Sequence, residues 1–144
     1  MPKKMLQQVQ KNLQVILDES PFGNSDILAV YLFGSSVTGE HGPGSDIDLA
    51  FLVSAEAYRD DPVVAVSPCH LAAARLGMRL GKETDVTIMN GASLEMAYEV
   101  IVTGRCLFEK DPEKRFEYES ALRGMYFDFR PFIEKLREDC LERL

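Results

Sequence analysis

Apolar residues recur at helical spacing near the start of the chain. Leu6, Val9, Leu13, Ile16 and Leu17 fall on one face of an amphipathic helix predicted over residues 3–19. The Ser20-Pro21-Phe22-Gly23-Asn24-Ser25 stretch reads as the turn that ends it. From Ile27 to Phe33 the chain is continuously apolar, the pattern of a strand buried on both faces. Gly34 and Ser35 open a polar, glycine-bearing segment, and Asp46 to Val53 reads as a second strand. Residues 62–80 are Ala-rich and helical in pattern, with Ser67-Pro68 as an alternative first turn. Thr84 to Met89 is a short third strand. Ser93 is placed to cap a helix that carries Leu94, Ala97, Tyr98, Ile101 and Val102 on one face and stops at Gly104. Arg105 to Glu109 suits an edge strand, and Asp111-Pro112 starts a last helical region that Pro131 should kink or divide. Around and beyond that proline, Phe129, Phe132, Ile133, Leu136 and Cys140 form an apolar stripe. It either packs on the domain's own sheet or, with Tyr126 and Phe127, meets a partner or a second copy.

This order implies an α/β (α+β) fold, a mixed sheet flanked by helices with a C-terminal amphipathic helical tail. The 144 residues suit a single domain, with a catalytic core at about residues 27–109 and a helical region at about 112–144. Composition is that of an ordinary soluble protein, and neither a membrane span nor a signal peptide is visible in the sequence. A cytoplasmic location is expected. Cys69, Cys106 and Cys140 are far apart and lack metal-ligand spacing, so they read as reduced, mostly buried thiols. His41 and His70 stand alone, without a ligand partner at metal spacing. The net charge of −7, from 16 basic against 23 acidic residues, argues against a grip on long nucleic acid. A small anionic ligand held through metal ions stays compatible with it.

The chemistry concentrates in three places. Asp46 and Asp48 are two apart in a strand, so they share a face while Ile47 and Leu49 point into the core. Their Cα atoms are then about 6.6 Å apart. Carboxylates that close repel unless a cation lies between them, and Mg²⁺ prefers a few carboxylates with substrate phosphate oxygens. A bare Asp-x-Asp pair is otherwise just two solvated strand residues. The third acid is Asp85, at the start of another apolar strand. If residues 50–84 are a strand-helix-strand crossover, the two strands are parallel and all three acids meet at one sheet end. Such a set can hold two ions roughly 3.5–4 Å apart, the spacing used for phosphoryl displacement. Asp85 as a simple turn residue or cap is the alternative. Gly34-Ser35 follows a buried strand directly, where free backbone NH groups and the Ser35 hydroxyl suit a phosphate. The Gly77-to-Glu83 stretch resembles a P-loop only faintly, one residue short between glycines and with Glu83 where a hydroxyl is needed.

Gly34-Ser35 is followed by ten residues and then Asp46-x-Asp48. This spacing resembles the signature of the polymerase-beta-type nucleotidyltransferase superfamily, with the third acid on a later strand. Leu32-Phe33-Gly34-Ser35, Gly39 and Ser45-Asp46-Ile47-Asp48-Leu49 resemble its minimal nucleotidyltransferase branch. The Tyr126-to-Pro131 region is similar to the tail of MntA-type antitoxins. Many relatives carry an Arg between the Gly-Ser pair and the next Gly, where this chain has Ser36, Val37 and Thr38. The cation on the triphosphate side is therefore unidentified; Lys82, Arg75 or Arg79 could substitute, but a solvated helix face is the first reading of each. The resemblance implies AMP transfer from ATP with two Mg²⁺ ions. Asp46 and Asp48 would hold both ions, and Asp85 would hold the second and help deprotonate the acceptor. Gly34 and Ser35 would secure the β- and γ-phosphates. It also implies a partner, a HEPN-domain toxin of the HepT kind modified on a tyrosine, and leaves a homo-oligomer open. A small-molecule nucleotidyltransferase and a binding-only antitoxin with a vestigial site are the alternatives.

Overall fold

Residues 3–19, 22–34 and 46–143 are described by the structure, a computed structural model. Helix α1 (Lys3–Asp18) buries Val9, Leu13, Ile16 and Leu17, the stripe its sequence spacing predicts. A short 3-10 turn at Phe22–Asn24 leads into β1 (Ile27–Phe33). After it come β2 (Ile47–Val53), a short helix α2 (Ala55–Asp60) and the longer α3 (Pro62–Leu80). Then follow β3 (Thr84–Ile88), α4 (Leu94–Thr103), β4 (Arg105–Glu109) and α5 (Pro112–Glu142). The sheet order is β3-β2-β1-β4. β1 is antiparallel to β2 and to β4, whereas β2 and β3 are parallel, so the sheet is mixed as expected.

Each sheet face carries its own core. α1 and α3 cover one face, where Leu13, Ile16, Leu32, Leu49, Phe51 and Leu76 pack together. α4 and α5 cover the other, around Ala29, Tyr31, Ala50, Leu52, Val100 and Leu122. Burying each large aliphatic side chain contributes about 1.5–3 kcal/mol. The central strands are accordingly apolar on both sides.

Several local expectations need correction. α3 starts at Pro62, because the Asp61 side chain accepts from Val64 N at 3.2 Å and caps the earlier turn. Pro68 therefore lies inside the helix, as does Pro131 in α5, which is neither divided nor ended there. A helical proline frees the carbonyl four residues earlier. Those residues are Val64 and Phe127, both exposed, so water can satisfy the freed groups. α2, capped by Ser54, is not among the expected elements, and Asp61-Pro62 separates it from α3. In α4 the buried set is Ala97, Val100 and Ile101, with Val102 turned outward. The apolar stripe of α5 does not pack on the sheet: Phe129, Phe132 and Leu136 are 53%, 66% and 64% exposed. Of the three free cysteines, Cys69 is buried, Cys106 half-buried and Cys140 exposed. Among the described residues no helix is long and apolar enough to cross a membrane.

Candidate active site

The register of the sheet sets three side chains in a row. Phe33 of β1 pairs with Asp48 of β2, and Asp48 pairs with Asp85 of β3. Ile47, Leu49, Val86 and Ile88 all pack toward α1 and α3. Strand alternation then turns Asp46, Asp48 and Asp85 to the opposite face, on the side of α4 and α5. Asp46 stands immediately before β2 and is half-buried, as is Asp48, while Asp85 is exposed. Neighbouring strands are about 4.8 Å apart, so Asp48 and Asp85 are lateral neighbours at one sheet end.

Gly34 completes the row. Its φ of +69° lies in the left-handed region that L side chains rarely adopt. A Cβ added there would sit 2.8 Å from Asp48 Oδ2, so the turn after β1 and the Asp48 carboxylate share a space that only glycine leaves open. Ser35 and the segment through residue 45, which includes Gly39, lie outside the described residues.

The far acid is positioned by the crossover. Thr84 Oγ1 donates to Ala73 O at 3.1 Å, and Ile47 N donates to Glu83 O at 2.9 Å. These bonds lock the start of β3 to α3 on one side and to β2 on the other. Gly77 of α3 permits the approach, since a Cβ on it would lie 2.5 Å from Lys82 O. This support had no motif to announce it. The faint P-loop likeness is in fact the end of α3, with Gly81 as its left-handed cap at φ 64°.

Of the basic residues considered for the triphosphate, Arg75 and Arg79 reach Glu19 at 3.9 Å and 3.3 Å. Arg75 also lies over the Phe22 ring, 5.0 Å from its centroid. Both serve the α1–α3 side, the face opposite the acids. Lys82 lies in the turn that enters β3.

A second polar cluster was invisible in the sequence. Tyr31 OH, on the acid-bearing face of β1, donates to Glu119 Oε1 of α5 at 2.8 Å. Arg115 bonds Glu119 at 3.2 Å and Glu109 of β4 at 2.8 Å, and stacks over Tyr31. Burial pushes the Tyr31 phenol well above its ordinary value; Arg115 works against that shift and Glu119 adds to it. The cluster fastens the first turns of α5 to the sheet.

All donors in the row are carboxylate oxygens, which suit a hard divalent cation in kind. Among the described residues no group of three His, Cys, Asp or Glu is arranged to hold a metal ion.

Known structures share this fold. A chain in a toxin–antitoxin structure with AMP-PNP superposes with a TM-score of 0.65 at 20% identity, over 92% of this chain and 98% of that one. A chain of the MntA-HepT toxin–antitoxin gives 0.61 at 19% identity, covering 94% and 98%. A structure of tri-AMPylated Shewanella oneidensis HEPN toxin with MNT antitoxin gives 0.62 at 19%, with the same 94% and 98% coverage. No curated sequence matches the chain. The family model described as polymerase beta, nucleotidyltransferase matches residues 11–113, which contain the whole row of acids and Gly34. The chain belongs to the polymerase beta nucleotidyltransferase family.

Proposed function

We propose that this chain is a cytoplasmic antitoxin that transfers AMP from ATP to a tyrosine of a cognate HEPN-domain toxin of the HepT kind. The observation that carries the reading is the row of Gly34, Asp48 and Asp85 across three neighbouring strands, with Asp46 beside it, inside the family-matched segment. The nucleotide and the partner are read across from fold neighbours solved with AMP-PNP, with HepT and with a tri-AMPylated HEPN toxin. We further read the chain as one domain, a catalytic core at about 27–109 followed by the α5 region.

Asp46 and Asp48 would hold two Mg²⁺ ions, with Asp85 sharing the second. Magnesium is usually held by one or two carboxylates while substrate phosphates complete its shell, so a protein-only cluster of three is not required. When bound, the ions supply charge neutralisation for the triphosphate and polarise the reacting phosphate. Gly34 and Ser35 offer backbone NH groups and a hydroxyl to the β- and γ-phosphates. The tyrosine oxygen forms a bond to the α-phosphorus as the bond to the pyrophosphate oxygen breaks. Asp85 takes the hydroxyl proton, and pyrophosphate leaves with the electron pair. Alignment and fixed charge supply most of the acceleration. AMP on the toxin adds bulk and negative charge where an RNA phosphate must bind, and like charge then disables it.

The test is co-expression with the cognate toxin, followed by intact mass of the purified toxin. Wild-type chain should rescue growth and leave the toxin heavier by one or more AMP units. The Asp46→Asn, Asp48→Asn double variant should do neither. Equal rescue by the double variant with unchanged toxin mass would mean neutralisation by binding alone.

A further inference from the structure

We propose that the Thr87 hydroxyl is a contact for the protein acceptor, holding a polar group of the toxin segment next to Asp85. This rests on the transfer reading above. Thr87 pairs with Ala50 across the parallel β2–β3 ladder, two residues beyond Asp85. Val86 and Ile88, on either side of it, pack toward α1 and α3. Thr87 therefore shares the face of Asp85, about 6.6 Å further along the strand. Its neighbour Ala50 has nothing beyond Cβ to reach across.

Among the described residues most other Ser and Thr hydroxyls are occupied. Ser25, Ser67, Thr84 and Thr103 donate to backbone carbonyls at 2.7, 2.6, 3.1 and 2.7 Å. Ser54 and Ser93 accept from Ala57 N and Met96 N at helix starts. Ser120 is exposed on α5. Thr87 is half-buried, yet its hydroxyl has no hydrogen-bond partner among the described residues. A half-buried hydroxyl with no protein partner is open to water in the free protein and to a polar group of a docked partner.

Position selects the ligand. Gly34, on the phosphate side, lies beyond β2, and two strand spacings separate β1 from β3 by about 9.6 Å. β3 ends the described sheet order, so an acceptor approaching from its outer side would meet Thr87 and Asp85 together. The nucleotide occupies the Gly34 side.

Thr87→Val keeps the shape and β-branching and removes only the hydroxyl. Full-length wild type, Thr87→Val and Thr87→Ser are compared in AMP transfer to purified toxin. Thr87→Val should raise the acceptor KM about ten-fold, the loss of one hydrogen bond, while the ATP KM and melting temperature stay unchanged. Thr87→Ser should restore the acceptor KM. A wild-type acceptor KM in Thr87→Val, or equal impairment in both variants, overturns the contact. If wild type itself transfers no AMP, the function reading fails on its own account. Toxin affinity then decides: a weakened Kd in Thr87→Val upholds the contact and an unchanged one overturns it.

Discussion

At Gly34 one missing methyl group serves two requirements, a left-handed backbone and room for Asp48 Oδ2. Alanine there costs about 1–2 kcal/mol in backbone strain. It also displaces a carboxylate whose position the proposed chemistry needs, and misplacement by about 1 Å costs roughly 10²-fold in rate. We expect Gly34→Ala to melt only a few degrees lower yet lose about 10²-fold in transfer, measured by calorimetry and toxin mass on the same preparation. A variant that unfolds, or one that retains wild-type turnover, would contradict this. At this scale spacing in the sequence singles out Asp46, Asp48, Asp85 and Gly34, and the sheet register sets Asp85 beside Asp48 and the Gly34 turn against the Asp48 carboxylate. Gly77, Thr84 and the proposed contact Thr87 escaped because each is defined by what the fold brings beside it. Gly77 matters through the Lys82 carbonyl and Thr84 through Ala73, neither adjacent in a pattern that periodicity detects.

Among the elements, α5 departs most from expectation. It runs unbroken through Pro131, and the stripe that contacts the sheet through Tyr118 and Leu122 continues past the body as Phe129, Phe132 and Leu136. The sequence revealed the stripe but not its neighbour, since apolar periodicity says a face is to be covered and is silent on what covers it. Tyr126 still stacks on Tyr98 at 3.7 Å between ring centroids. Beyond it the Arg137–Glu95 pair, at 2.7 Å, joins side chains 67% and 40% exposed and contributes at most about 1 kcal/mol. Deleting residues 131–144 should therefore leave a folded core melting within a few degrees of the full chain, but one that no longer captures the toxin. An unfolded truncation would show that the tail supports the core. Undiminished capture would place the interface elsewhere. The starts of α4 and α5 were legible for a simpler reason: Ser93 and Asp111 cap locally, accepting from Met96 N and Glu113 N.

The molecule as a whole keeps its titrating groups in two unequal environments. Asp48 and Asp85 lie side by side at one sheet end, while Cys69 is buried and Tyr118 half-buried against the second core. Burial pushes the Cys69 thiol up to about 12 and the Tyr118 phenol up to about 12, from ordinary values of 9.0 and 10.0. In both, the neutral form belongs to the folded state. Their contribution is fully present below the unfolded value and disappears as pH rises through the folded one. Urea midpoints should thus fall steadily between about pH 9 and pH 12, and Cys69→Ala should flatten the early part of that fall. A flat profile across this range would refute the assignment. The layered topology itself was legible because a strand-helix-strand crossover constrains handedness and parallel pairing so tightly. The faces of α4 and α5 were less so, since a helix that meets a sheet obliquely obeys no simple repeat.

The fastening of α5 by Tyr31, Arg115 and Glu119 has an evolutionary consequence. Drift in the helix before Leu122 is policed by the sheet, and a change there is felt as lost stability. Past Tyr126 few side chains touch the rest of the chain, Phe127 at Tyr98 and Arg137 at Glu95 among them. Most changes there cost little stability and are judged by what the helix touches outside. Two rates of divergence can coexist in one helix, letting a lineage exchange its partner without rebuilding its chemistry.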